Sequence, residues 1–147
     1  MEKVNVIVVP VDFLNTTDKL VEYAVYMAAE LSAVLHFVHV VDLYSGDSLL
    51  GVPYMQECKE KLLTDAKERM ANLLDDKIKK CPKCTGEVVT GDPVDRITEI
   101  AREKNSQLII ISTHGAKGLE KILLGSVAER VLKRAHCPVL IMNPFKK

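Results

Sequence analysis

The chain has no surplus of charge, no long apolar run and no exported look, and each absence removes a class of function. Twenty lysines and arginines are matched by twenty aspartates and glutamates. A general nucleic-acid binder carries a basic excess for the phosphate backbone, so no nucleic-acid partner is expected. No apolar stretch approaches the ~20 residues of a membrane-spanning helix, which argues against membrane insertion. The start, Met1 to Asn5 and then directly an apolar run, lacks the charged and apolar regions of a signal peptide, and a cytoplasmic location is the expectation. What is present is ordinary for a globular protein: 48% hydrophobic and 27% charged residues over 147 positions. That length suits one domain, 1–147, burying roughly two-thirds of its unfolded surface.

Cysteine is also scarce. Cys58, Cys81, Cys84 and Cys137 make an even count, but without a sign of export a disulfide framework is not expected. Cys81-Pro82-Lys83-Cys84 is a C-x-x-C placed after a long helical pattern and before a strand. A thioredoxin-type motif sits where a strand runs into a helix, and a structural zinc needs four ligands, for which no second C-x-x-C or C-x-x-H exists. The preferred reading is a pair of plain loop cysteines. Redox pairing, or a zinc shared between subunits, stays open.

Periodicity alternates strand and helix. Val4–Val9 is almost continuously apolar, as in a strand buried on both faces of a parallel sheet, with Pro10 ending its ladder. Thr16, Thr17 and Asp18 offer caps for a helix with its stripe at Leu20, Ala24, Ala28 and Leu31. A second strand spans Leu35–Val41, in which His36 and His39 are packed or edge-bound. A long helix runs from near Tyr54 to about Lys79 and a third strand covers Glu87–Thr90. Gly91-Asp92-Pro93 reads as turn, N-cap and first helical position. The helix after it ends near Asn105. Leu108–Ile111 and Val139–Met142 complete five strands, and such alternation means a parallel sheet with helices on both faces.

The most informative stretch runs from Leu108 to Cys137. A buried strand ends in the small loop Ser112-Thr113-His114-Gly115, and Gly125-Ser126 precedes a helical pattern. Ser126 with Glu129 fits the S-x-x-E capping box, so a helix should begin at Ser126. A helix start preceded by an uncovered glycine exposes N–H groups and the positive end of a dipole, a ready anion site. Strand, small loop, Gly-Ser and helix together suggest a phosphate cradle.

Ser112-x-x-Gly115, nine residues, then Gly125-Ser126 resembles the nucleotide motif G-x2-G-x9-G-[ST] of the ATP-binding universal stress proteins, with Ser112 standing where the motif has its first glycine. The words THG, LLGSVAERVL and CPVLIM, the Pro10-Val11-Asp12 segment and the Gly91-Asp92-Pro93 turn resemble that family too, so the likeness covers essentially the whole chain. It implies a Rossmann-like α/β fold, an open parallel five-stranded sheet in the order 3-2-1-4-5. Strands 1 and 4 then lie side by side where the topology reverses, and ligands bind at the carboxyl ends of the strands at such a point. The resemblance further implies ATP, with Mg, as the ligand. Pro10, Val11 and Asp12 would lie beside base and ribose, with the Val40 backbone on the adenine. Ser112, Thr113, His114, Gly115, Gly125, Ser126 and Val127 would surround the phosphates. Asp12 could instead be an Asx turn closing strand 1, and Ser126 an ordinary cap. His114 reads as a phosphate-side or loop-orienting residue, since no carboxylate is evident to position it as a catalyst. Lys117 and Lys121 fit the outer phosphates or a solvated basic face equally, and His136 is a loop residue. A homodimer is implied, pairing the last strand with its twin.

No catalytic residue emerges. Phosphoryl transfer needs a held metal, a positioned water and a cation at the transition state, and the sequence has no Walker-type G-x4-G-K-[ST]. The adenine-nucleotide pyrophosphatases need a glycine-rich loop after strand 1, where this chain has PVDFLN. A nucleotide-loaded regulatory protein in stress response, acting through a partner protein, is therefore preferred over a slow ATP hydrolase or a relative that binds no nucleotide.

Overall fold

The computed structural model describes residues 2–43, 52–77, 79–113 and 124–146. Five strands and four helices alternate: β1 (Val6–Pro10), α1 (Thr17–Leu31), β2 (Val34–Val41), α2 (Val52–Lys77), β3 (Thr85–Thr90), α3 (Pro93–Glu103), β4 (Leu108–Ser112), α4 (Ser126–Arg134) and β5 (Val139–Met142). All pairings are parallel and the order is β3-β2-β1-β4-β5, as the family likeness implies.

The near-continuous apolar runs in the strands are explained by two cores, one on each face. Ile7, Val9, Leu35, Phe37 and Ile110 point to one side, where Leu20, Val21 and Ala24 of α1 and Met70 of α2 cover them. Val8, Val38, Ile109 and Ile111 point to the other, beneath Val94, Ile97 and Ile100 of α3 and Ala128 and Val131 of α4. Strand alternation sends neighbours to opposite faces, so both sets must be apolar. Fully burying each such side chain stabilises the fold by roughly 1.5–3 kcal/mol. Gly86 on β3 is part of this fit, since a Cβ there would lie 2.5 Å from the Met70 sulfur.

Several boundaries move. Pro10 belongs to β1 rather than ending it: it stands in register with Val38, and the next amide, Val11 N–H, continues the ladder to the Val38 carbonyl at 2.8 Å. Strand β3 begins at Thr85, two residues ahead of the expected start. Helix α1 has Thr16 at its N-cap but no side-chain capping bond, and Thr17, its first residue, directs its hydroxyl to Asp12. Helix α3 follows expectation: the Asp92 carboxylate accepts from the Asp95 amide at 3.0 Å and Pro93 occupies the first turn. Gly91 sits at φ 131°, a backbone setting that glycine alone adopts cheaply.

The C-x-x-C is not a pair of plain loop cysteines. Cys81 and Cys84 are joined as a disulfide across the turn between α2 and β3, with a Cα–Cα distance of 5.4 Å. The turn brings them there by itself, as the Cys81 amide closes α2 onto Lys77 and the Cys84 amide bonds back to the Cys81 carbonyl.

Candidate functional site

A cavity of about 600 Å³ opens at the carboxyl ends of the strands, where the strand order reverses between β1 and β4. Nine of the expected ligand-site residues line it: Pro10, Val11 and Asp12 at the exit of β1, Val40 from β2, Ser112 and Thr113 at the end of β4, and Gly125, Ser126 and Val127 at the start of α4. His114 and Gly115, together with Lys117 and Lys121, lie outside the described residues.

Asp12 stands at one end. Its Oδ1 accepts from the Leu14 amide at 2.9 Å and from the Thr17 hydroxyl at 3.0 Å, an Asx turn that also anchors the first turn of α1. Both bonds fall on one oxygen, so Oδ2 has no protein donor among the described residues. Phe13, next along, is in the left-handed region at φ 59°, and its ring lies against His39 with centroids 4.8 Å apart. His39 Nδ1 donates to the Val11 carbonyl at 2.8 Å, because a carbonyl can only accept. The imidazole thus ties the exit of β1 to β2 and lines the cavity as well. The sequence reading treated His39 as packed and missed its place at the site; the signal was its position one residue before Val40.

The start of α4 forms the other end. Gly125, not Ser126, is the N-cap, with extended backbone at φ −59°, ψ 151°, and no side-chain cap is made. The capping-box expectation is therefore corrected. Gly125 donates its amide to the Thr113 carbonyl at 2.8 Å, and a Cβ on Gly125 would lie 2.8 Å from that same oxygen. This close approach fixes glycine at the cap and moves Ser126 to the first helical position. Glu129 pairs with Lys133 at 2.7 Å, which holds its carboxyl below the usual range. The amides of Ser126, Val127 and Ala128 have no intrahelical acceptor, as in the first turn of any helix. Ala128 lines the cavity too, a residue the motif alone does not mark.

Much of the remaining lining is apolar, with Leu14, Leu20, Val38, Ile97 and Ile111 contributing. Ion pairs from Arg130 to Asp92 at 3.8 Å and Arg134 to Asp95 at 2.7 Å join α4 to α3 beside it. An acceptor carboxylate, an apolar lining and a donor-rich helix start suit a molecule with an amine or hydroxyl at one end and an anion at the other.

His36 lies elsewhere, mid-strand between β2 and β3. It is 4% exposed, with Nδ1 2.7 Å from the Thr85 hydroxyl and Nε2 2.7 Å from Glu87 Oε1. Burial lowers its pKa, against the opposing pull of the Glu87 bond. His136 and Cys137 meet Ser106 behind β4, where burial raises the Cys137 thiol. Neither group reaches the cavity.

Residues 3–143 match the model of the universal stress protein family. The chain belongs to that family. Among its universal stress relatives, MJ0531 of Methanocaldococcus jannaschii is 36% identical over 146 residues, covering 96% of this chain and 83% of the relative. The solved structure of MJ0577, from the same organism, superposes with a TM-score of 0.84 at 27% identity, over 99% of both chains. Two more distant solved universal stress proteins are complexes. One contains cAMP (TM-score 0.63, 23% identity, 97% of this chain and 99% of the other). The other, from Archaeoglobus fulgidus, contains dAMP (TM-score 0.64, 22% identity, 95% and 98%).

Proposed function

We propose that this universal stress protein is a dimeric regulatory protein loaded with ATP, with Mg, and that the nucleotide occupies the cavity at the β1–β4 reversal. The observation that carries the reading is a single cavity, rich in apolar side chains, that is lined both by Asp12 and by the uncapped start of α4. The adenosine end lies toward Asp12 and Val40, where a carboxylate oxygen and backbone groups meet amine and hydroxyl donors. The phosphates lie at Ser126, Val127 and Ala128, whose N–H groups and helix dipole favour negative charge. Ser126 Oγ, released from capping, adds a donor. The complexes of two relatives with adenine nucleotides support the same ligand class. The bound state acts on a partner protein rather than by turnover, a reading that rests on the lack of a Walker-type G-x4-G-K-[ST] motif in the sequence.

The test is to identify the small molecule released from protein purified without added nucleotide, then to measure ATP affinity by calorimetry with Mg present. Co-purified adenine nucleotide, or ATP binding below millimolar concentration, is expected. Protein that binds no adenine nucleotide at millimolar concentration overturns the site. Phosphate release faster than about 1 s⁻¹, the lower end of typical enzyme rates, overturns the regulatory reading.

A further inference from the structure

The connector between α2 and β3 is built for thiol chemistry that the nucleotide cavity does not use. Cys81 and Cys84 are both half-buried against the core under α1 and α2, while Pro82 and Lys83 between them are exposed. Lys79, Lys80 and Lys83 are exposed around the pair, and Lys77 is held by Asp76 at 2.9 Å. From Lys77 to Gly86 the sequence contains no acidic residue. Positive charge beside a cysteine favours the thiolate, the form that attacks disulfides and leaves from them.

The bond is also poorly placed to be a structural staple. It closes a loop of only four residues, the case in which cross-linking restricts the unfolded chain least. The backbone already holds the turn without it, through the Cys81 amide on Lys77 at 2.8 Å and the Cys84 amide on Cys81 at 3.0 Å. Breaking the S–S bond therefore leaves the turn in place, with both sulfurs near each other and ready to re-form it. A bond that adds little to the fold, in a lysine-rich turn whose intervening residues are exposed, has the properties of a reversible one.

We infer that Cys81 and Cys84 form a redox-active pair that exchanges with a glutathione-type thiol–disulfide couple, giving the protein a redox input separate from its nucleotide site. In the reducing direction an external thiolate attacks one sulfur of the pair. The S–S bond breaks, a mixed disulfide forms and the released thiolate takes a proton. A second external thiolate attacks the mixed disulfide, releasing the external disulfide and leaving Cys81 and Cys84 as two thiols. Two electrons and two protons enter the protein and two external thiols become one disulfide. All five strands are parallel and the connector enters β3 at its amino end, so the pair lies at the opposite end of the sheet from the cavity. It is also on the edge farthest from β5. The immediate recipient of the change is Thr85, which follows Cys84 and bonds His36.

The test is a redox titration of the full-length protein in buffers spanning glutathione disulfide to excess glutathione. Each sample is quenched with N-ethylmaleimide and mapped by mass spectrometry, so that the peptide carrying Cys81 and Cys84 is separated from Cys58 and Cys137. The expected result is a reversible gain of two alkyl groups on that peptide, with the midpoint inside the glutathione range and the protein folded throughout. In a variant with Lys79, Lys80 and Lys83 changed to Gln, alkylation of the reduced pair at neutral pH should slow several-fold. A pair that stays bonded in the folded protein under excess glutathione and millimolar dithiothreitol overturns the inference in favour of a structural disulfide. A pair that stays reduced in glutathione disulfide overturns it in the other direction. A stoichiometric zinc lost in Cys81→Ser/Cys84→Ser overturns it in favour of a metal site.

Discussion

Gly125 meets the Thr113 carbonyl at close range: its amide donates to that oxygen at 2.8 Å, and a Cβ on Gly125 would also lie 2.8 Å from it, too near for a carbon. The backbone of Gly125 is extended, with negative φ, so the requirement is steric rather than conformational. This contact ties the end of β4 to the start of α4, both of which line the cavity.

Gly125→Val should therefore act on the architecture of the site before any anion arrives. The branched side chain must push the Thr113 carbonyl away, breaking the hydrogen bond it accepts from the Gly125 N–H and tilting the first turn of α4. ATP binding is expected to be lost, with a stability cost of roughly 1–3 kcal/mol from overpacking and the broken bond. Denaturant unfolding checks the second part. Wild-type stability together with lost binding would show instead that the glycine serves only as clearance for the anion.

This contact also shows where sequence reading succeeds and where it stops. The five strands were legible because both faces of the sheet are covered, which writes β-branched runs such as Val6–Val9 and Leu108–Ile111 into the chain. Helix α3 was legible because its cap is local: Asp92 and Pro93 carry the whole signal. The order of strands was not in the periodicity and came with the resemblance. The cap of α4 was misread because a partner from another element, Thr113, decides it. Ser126 matched a local pattern that a contact across the fold overrides. His39 was missed for the same reason, since its bond to Val11 joins residues 28 positions apart. The disulfide was open in the sequence because C-x-x-C fits three chemistries at one spacing.

His36 makes folding stability depend on pH. In the neutral ring, Nε2–H donates to Glu87 and Nδ1 accepts from the Thr85 hydroxyl, so both nitrogens are satisfied without charge. Burial lowers the folded pKa below the ordinary value of 6.5. The unfolded chain then binds the proton more readily, and stability is lost as pH falls from the unfolded value toward the folded one. Above pH 6.5 the contribution is fully present. His36→Gln should flatten this part of the stability–pH curve, measured by urea unfolding between pH 5 and pH 8. A curve that keeps its slope in the variant would assign the dependence to another group.

The proposed dimer rests on an edge strand. Among the described residues strand β5 pairs only with β4, and Val139, Leu140, Ile141 and Met142 are each half-buried in the single chain. An apolar edge with an open ladder is a template for association, and a two-fold axis through it would join two copies by the same surface. Light scattering at micromolar concentration should give twice the chain mass, and Ile141→Lys should shift it toward the monomer. A monomeric wild type, or unchanged association in the variant, would count against β5 as the interface.

The disulfide should contribute little to stability. For a four-residue loop the chain-entropy relation gives about 2 kcal/mol as an upper figure. Cys81→Ser/Cys84→Ser should lose no more than that in unfolding free energy, measured by denaturant unfolding, with ATP affinity within a few-fold of wild type. A large loss of ATP affinity in a folded variant would show that the two ends of the sheet communicate.

The two serines at the phosphate end separate position from chemistry. Ser126 makes no capping bond, so Ser126→Ala should leave stability nearly unchanged while removing a charge-assisted donor. Such a bond is worth on the order of 1.5–3 kcal/mol, or roughly 10- to 100-fold in ATP affinity. A fall in stability with no change in affinity would return Ser126 to a structural role. Ser112 stands where the motif has glycine, and glycine's usual advantage is a positive φ. Here Ser112 is the last residue of β4 and is not among the positive-φ residues, which apart from glycine are, among the described residues, Phe13, Ser32 and Asn105. Serine thus carries no backbone penalty for Ser112→Gly to relieve. The substitution should lower ATP affinity a few-fold, through the lost hydroxyl and the added freedom of the loop that follows. A rise in affinity would mean that the bound state draws Ser112 out of the strand conformation into one that only glycine adopts easily, and calorimetry of the two variants side by side decides between these outcomes.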